Sequence, residues 1–319
     1  MIGEALSNHL SSIGDLTSDD ASAVANIKGE VRILPKGKDI LSAGDVPHFS
    51  VVVLKGLLCR HSWKRDGSRQ IHSFYIPTDA PSLETLHIDY LDNNLGAVVQ
   101  STIGVVPHSE MFRLMEERPK VHALLWRETL VQVAVFREWL ARNSTLPAQS
   151  AMAHLFCEIY VRAEAAGLVF ANSCEMPATQ ETLAQALGLT PVHVNRTLQS
   201  LRETGLLDLK NERLYIHHFG QLAQLAEFDP HYLHLRNGRP PHRGGSDAYG
   251  RYLNRSSVRV RLRLTAAERS DETLIFSFGL TVTVSRDLFE TGAIDNGDHA
   301  TRCPDRAALL QLVQRDRHP

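Results

Sequence analysis

The feature that most constrains this fold is the stretch from residue 178 to residue 205, which predicts two short helices joined by one tight turn. Thr179 offers an N-cap hydroxyl to the first helix, and Gly188 ends it because glycine tolerates a left-handed backbone. Thr190 and Pro191 then begin the second helix with a capping hydroxyl and a proline at the first helical position. Helices joined so closely cross steeply, so the stretch predicts a helix-turn-helix.

The second helix has an apolar face and a polar face. Val194, Leu198 and Leu201 recur at helical spacing and are expected to face the core. The outward positions carry Arg, Asn and Gln, which can bond to guanine or adenine edges in a major groove. The two N-cap threonines and two basic residues after the second helix are added to this set. The predicted DNA-binding residues are Thr179, Thr190, Val192, His193, Asn195, Arg196, Gln199, Arg202, Lys210 and Arg213. The alternative is an ordinary helical hairpin whose polar face is only solvated.

A β-hairpin is predicted directly after the second helix. Residues 206–209 and 213–216 favour short strands, and residues 210–212 favour a turn between them. A hairpin beside a recognition helix forms a β-wing, in which Lys210 and Arg213 are expected to contact phosphate.

The segment GLTPVHVNRTLQSLRETGLLDLKNERLYI resembles the winged helix of the Crp/Fnr family of bacterial transcription regulators. The recognition helix of that family commonly carries Glu shortly before a Ser-Arg or Gly-Arg pair. Here Asn195 and Arg196 occupy the pair, and Val192 stands where the Glu would be, which implies a different operator sequence. The resemblance implies a homodimer on inverted-repeat DNA, with RNA polymerase as a further partner. The alternative function is a ligand-sensing or scaffolding dimer without specific DNA binding.

The N-terminal third is predicted to be a β-roll. After a helical lead-in up to residue 27, short β-prone segments alternate with glycine turns, which favours a sandwich or barrel. The segments ILSAGD, VVLKGLLCR and DGSRQIHSFYIP resemble the cyclic-nucleotide-binding-like jelly roll of the same family. The resemblance implies a sensory domain.

Cyclic-nucleotide binding is nevertheless disfavoured. Family members that bind such ligands hold the phosphate with an arginine, whereas residues 77–106 contain no arginine and carry Asp79, Glu84, Asp89 and Asp92. An iron–sulfur cluster is disfavoured because no cysteine precedes Cys59. His72, His87 and His108 are too scattered to indicate haem. No cofactor and no metal are therefore expected, and the effector is not identified.

A long helix predicted at residues 119–143 carries apolar residues on two sides. In the family the equivalent helix packs on its own β-roll and on its twin. One stripe is assigned to the dimer interface: Val121, Leu124, Leu125, Val131, Val135 and Trp139. A second set lies partly on another face: Leu130, Val133, Phe136 and Leu140. The alternative is a helix buried wholly within one chain.

Composition narrows the function further. A formal net charge of −2 means that DNA contact must come from a local basic surface. There is no apolar run long enough for a membrane span and no signal peptide, so a cytoplasmic protein without membrane contact is expected. The four cysteines form no C-x-x-C pair, and the chain lacks the nucleophile-elbow, phosphate-loop and zinc-protease motifs. An enzyme is therefore not expected.

The predicted fold class is α+β, in four parts. They are a β-roll at residues 1–118, a dimerisation helix at 119–143, a winged helix-turn-helix at 144–236 and an extension at 237–319. The extension is rich in Arg, has no Lys, and contains a linker, two alternating segments and one short helical segment. It is either a small β unit or a segment without fixed structure. Its arginines either add phosphate contacts or belong to an extension created by a lost stop codon or a frameshift.

Overall fold

The computed structural model describes residues 1–236 and has the predicted α+β composition. Its helices are α1 Ile2–Ile13, α2 Ser18–Ala25, α3 His108–Glu117, α4 Pro119–Thr145, α5 Ala148–Ala165, α6 Gln180–Leu187, α7 Pro191–Glu203 and α8 Phe219–Leu225. Its strands are β1 Glu30–Leu34, β2 Asp39–Leu41, β3 Phe49–Lys55, β4 Leu58–Trp63, β5 Arg69–Tyr75, β6 Asn94–Ala97, β7 Ser101–Pro107, β8 Ser173–Glu175, β9 Leu207–Lys210 and β10 Arg213–Ile216. The predictions for the Arg-rich extension lie outside the described residues.

The predicted β-roll is confirmed as two antiparallel sheets, with strand orders β1-β7-β3 and β2-β6-β4-β5. A core of mostly aliphatic side chains from both sheets fills the space between them. Gly56 joins β3 to β4 at a φ of +94°, and a Cβ there would lie 2.9 Å from the Cα atom of Ser101. Only glycine fits this turn without strain.

The sequence patterns missed two strands of the roll. β6 and β7 lie in the segment that the sequence analysis considered only as a ligand-binding loop. β7 is the central strand of its sheet, and its residues 101–106 are almost all buried. A strand buried on both faces shows no alternation of polar and apolar residues, which is why the pattern gave no clear strand signal.

The long helix α4 is present, but the stripe assigned to the dimer interface is wrong. Those six residues are at most 8% exposed and pack against α1, the β-roll and α5 of the same chain. Trp139, for example, packs edge-on against Phe74 of β5. Side chains covered within one chain are not available to a second copy. The exposed apolar residues of α4 are Trp126, Leu130, Val133, Phe136 and Leu140.

Helix α5 connects the roll to the helix-turn-helix. Almost every residue of α5 from Ala151 to Ala163 is buried. The reason is that α5 has neighbours on all sides: one continuous core contains α5, the apolar face of α7 and residues of β4 and β5 such as Ile71 and Phe74. No described helix combines the length and the apolar composition needed to cross a membrane.

Candidate nucleic-acid interface

Local sequence signals position the two helices of the helix-turn-helix as predicted. The Thr179 hydroxyl accepts a hydrogen bond from the backbone N–H of Thr182 at 3.1 Å, and the Thr190 hydroxyl accepts one from His193 at 3.2 Å. Gly188 between the helices has a φ of +67°. Both threonine hydroxyls thus satisfy backbone donors that the first turn of a helix leaves free.

The recognition helix α7 presents a polar face outside the chain. Val194, Leu198 and Leu201 are buried as predicted, whereas Val192 is 81% exposed. Asn195, Arg196, Gln199 and Arg202 are exposed as well, and His193 is half-buried. Some of these side chains form hydrogen bonds within the chain and others do not. Those without such bonds are the candidates for contacts with DNA bases.

Arg196 and Gln199 form no side-chain hydrogen bond or ion pair with another described residue, so their polar groups are available to a ligand. The Asn195 side-chain carbonyl accepts a hydrogen bond from Gln180 at 3.1 Å. Arg202 donates to the backbone carbonyl of Leu209 at 2.8 Å. Arg202 therefore ties α7 to the wing, and Gln180 orients Asn195. The sequence analysis did not identify Gln180, because a partner fifteen residues away in a crossing helix leaves no local signal.

The predicted wing is a β-hairpin whose connecting loop has two residues. β9 and β10 pair from Leu207 opposite Ile216 to Lys210 opposite Arg213, and Asn211 and Glu212 both have positive φ values. Two left-handed residues form the type I′ turn that matches strand twist. A third strand, β8, pairs with β10 and was missed by the sequence analysis. β8 has only three residues, which is too short for an alternation of polar and apolar residues to be recognised.

The two basic residues of the wing differ in function. Arg213 donates to the hydroxyl of Ser173 at 2.9 Å and to its carbonyl at 3.3 Å, so it holds β10 to β8. Lys210 is exposed, lies 3.5 Å from Asp208 and sits over the Tyr215 ring. An exposed ion pair contributes about 0–1 kcal/mol, so a phosphate can replace Asp208 as the partner of Lys210. Lys210 is the better candidate for a phosphate contact.

The interior of the β-roll is occupied by an internal arginine. Arg60 of β4 donates to Tyr75 at 3.2 Å and to Asn93 at 2.6 Å, and it also bonds to Glu84 and to the carbonyl of Pro81. The sequence analysis named Glu84 among the carboxylates of a segment without arginine, but Arg60 of β4 compensates the charge of Glu84. Each of the three guanidinium nitrogens of Arg60 therefore has a partner within the chain.

No group of three or more possible metal ligands occurs among the described residues. His72, His87 and His108 make other contacts: His72 with Ser62, His87 with the Phe112 and Trp126 rings, and His108 with Thr85. The cysteines at 59, 157 and 174 are buried. Burial raises the pKa of the Cys59 thiol to about 12, as expected for an inert core cysteine.

Comparison with known proteins agrees with this geometry. A Crp-like helix-turn-helix domain matches residues 150–225. The chain is 26% identical over 219 residues to the transcriptional activator protein FnrL of Cereibacter sphaeroides, which covers 66% of this chain and 86% of that protein. It is 24% identical over 199 residues to the nitrogen fixation regulation protein FixK of Azorhizobium caulinodans, over 62% of this chain and 79% of that protein.

Among solved structures, FixK2 from Bradyrhizobium japonicum has the same fold. The TM-score is 0.55 at 18% identity, and the match covers 62% of this chain and 98% of that chain. The relatives are transcription regulators, and the matched domain contains the exposed recognition helix described above. The chain therefore contains a Crp-like helix-turn-helix domain and is similar to transcription regulators of the Crp/Fnr family.

Proposed function

We propose that the protein binds DNA sequence-specifically, as a homodimer on an inverted-repeat operator in the cytoplasm, and acts on transcription through RNA polymerase. The observation that carries this proposal is the recognition helix, where Arg196 and Gln199 are exposed and have no partner among the described residues. Unpaired guanidinium and amide groups on one helix face match the donors and acceptors of guanine and adenine in a major groove. The match to the Crp-like helix-turn-helix domain and the similarity to the transcriptional activator FnrL support the same function.

A dimer contact through α4 is supported by the apolar residues that the chain leaves exposed. Trp126, Leu130, Val133 and Leu140 are between 47% and 65% exposed, and Phe136 flanks them. Positions 126, 130, 133, 137 and 140 follow a 4-3-4-3 spacing, which is the a and d pattern of a coiled coil, and Arg137 is the one polar residue among them. Two copies of α4 that pack side by side through this stripe would cover it.

Selection from a pool of random DNA duplexes tests the function directly. We expect the full chain to enrich an inverted repeat with half-sites about 34 Å apart, one helical turn, because a two-fold dimer presents two recognition helices on one DNA face. We also expect a half-site that differs from the usual site of the family, since Val192 replaces the Glu. Equal binding to selected and random duplexes would reduce the proposal to nonspecific binding or to a dimer without DNA.

Cyclic AMP is not expected to be the effector. The guanidinium of Arg60 is already bonded to Glu84, Tyr75 and Asn93, and the loop from residue 77 to 93 supplies no other arginine. A cyclic phosphate would have to displace these bonds without a free cation to receive it. Titration calorimetry of the full chain should show no binding at micromolar concentrations. A micromolar dissociation constant would contradict this expectation.

A further inference from the structure

A buried ion network connects the β-roll to the DNA-binding domain. Arg162 of α5 donates to Asp79, in the loop after β5, at 2.6 Å and to Glu158 of α5 at 3.1 Å. Asp79 also accepts from the backbone N–H of Ile76 at 2.7 Å. Glu158 is completely buried, and Asp79 is 6% exposed. The Asp79 carboxylate is thus held by a backbone N–H of its own loop as well as by Arg162.

The network extends to the long helix and to the end of the described chain. The second carboxylate oxygen of Glu158 accepts from the Trp139 indole of α4 at 2.9 Å and from the Tyr232 hydroxyl at 2.8 Å. All polar atoms of the Glu158 carboxylate therefore have partners. Burial raises the pKa of Glu158, while Arg162 and the two neutral donors oppose that effect.

A second pair joins helix α1 to the same cluster. His9 lies 2.8 Å from Glu128 of α4 and 3.6 Å from Asp79. Burial lowers the pKa of His9, but Glu128 and Asp79 outweigh it and leave the pKa above its usual value. Gln132 donates to Glu128 and to the carbonyl of Ala80. Charged side chains of four segments, α1, the loop after β5, α4 and α5, consequently meet in one cluster.

Such a network fixes orientation better than apolar packing does. The apolar core shared by β4, β5 and α5 is nondirectional, so related packings of the two domains differ little in free energy. Arg162 bonds to Glu158 of its own helix and to Asp79 of the roll, so a shift of α5 along the roll would separate Arg162 from the buried Asp79 carboxylate. Because α7 packs on α5 in the same core, the orientation of α5 sets that of the recognition helix.

We propose that Asp79 and Arg162 are positioning residues for DNA recognition: they fix α7 relative to α4 and thereby the distance between the two recognition helices of the dimer. This inference rests on the proposed function, in which α4 forms the dimer axis. A fixed distance between recognition helices selects one spacing of half-sites. The pair touches no DNA and acts through the placement of α7.

The double variant Asp79→Asn with Arg162→Gln tests this role. Asn keeps the side-chain volume of Asp79, and Gln is shorter than Arg162 but keeps an amide donor, so the double variant removes both charges without adding bulk. Binding is measured to the selected operator and to versions lengthened or shortened by one base pair between half-sites. We expect the preference for the original spacing to fall by a factor within the range of about 5 to 150 typical of coupled sites. Preference for the bases within each half-site should not change.

A matched control is the ion pair of Arg60 and Glu84, which is also poorly accessible but lies within the β-roll. Arg60→Gln with Glu84→Gln should leave the spacing preference as in the unmodified protein. The single variant Asp79→Asn provides the same test if the double variant does not fold. An unchanged spacing preference in a folded Asp79 variant, or an equal loss in the control, would overturn the inference. Failure of the proposed function is distinct, because the unmodified protein would then select no site.

Discussion

Replacing Leu130 and Val133 by glutamate is expected to yield a folded monomer that no longer binds the operator. Both side chains are about half exposed on α4 (51% and 47%), so a glutamate there stays hydrated within one chain. In the dimer the same carboxylates would be buried without partners, at a cost of several kcal/mol for each ion. That corresponds to a weakening of dimerisation of about a hundredfold or more. Analytical ultracentrifugation measures the change.

The control for this experiment uses the neighbouring buried positions. Val131→Glu with Val135→Glu places two charges in the core beside α5, where both valines are at most 8% exposed. This variant is expected to lose its cooperative thermal transition instead of becoming a folded monomer. If the Leu130 and Val133 variant stays dimeric, α4 is not the contact between copies.

Arg196→Ala is expected to weaken operator binding by about 1–3 kcal/mol in each half-site and to relax the base preference at one position there. The physical reason is that a guanidinium with no partner in the described chain can form two hydrogen bonds with one guanine. Binding to random duplex should change much less. The measurement is a titration of selected and random duplexes at two salt concentrations.

Lys210→Ala provides the contrast, because the wing lysine is expected to meet only phosphate. Its loss should weaken binding to all sequences alike and should make the salt dependence shallower by about 0.9 units of slope for each lost phosphate contact. The dimer loses two such contacts. If both variants lose affinity equally on selected and random DNA, α7 does not read sequence.

The sequence by itself determined the local elements of the DNA-binding domain. Thr179, Gly188, Thr190 and Pro191 set the ends of α6 and α7 through caps and backbone preferences that act within a few residues. The period of Val194, Leu198 and Leu201 then fixed which face of α7 is buried, and with it the exposure of Arg196. These signals are local, so they are readable without knowledge of the neighbours.

Only the tertiary structure decided which polar and apolar groups remain free. Helix α4 is apolar on two sides, and periodicity cannot tell which side its own β-roll covers, so the dimer stripe was assigned to the wrong face. The sequence does not distinguish Arg202, Arg213 and Arg60 from an arginine with a free side chain. In the structure each of them donates a hydrogen bond to a residue outside its own helix or strand. The pair of Asp79 and Arg162 is separated by 83 residues. Such contacts depend on which surfaces meet after folding, and no local period or propensity records that.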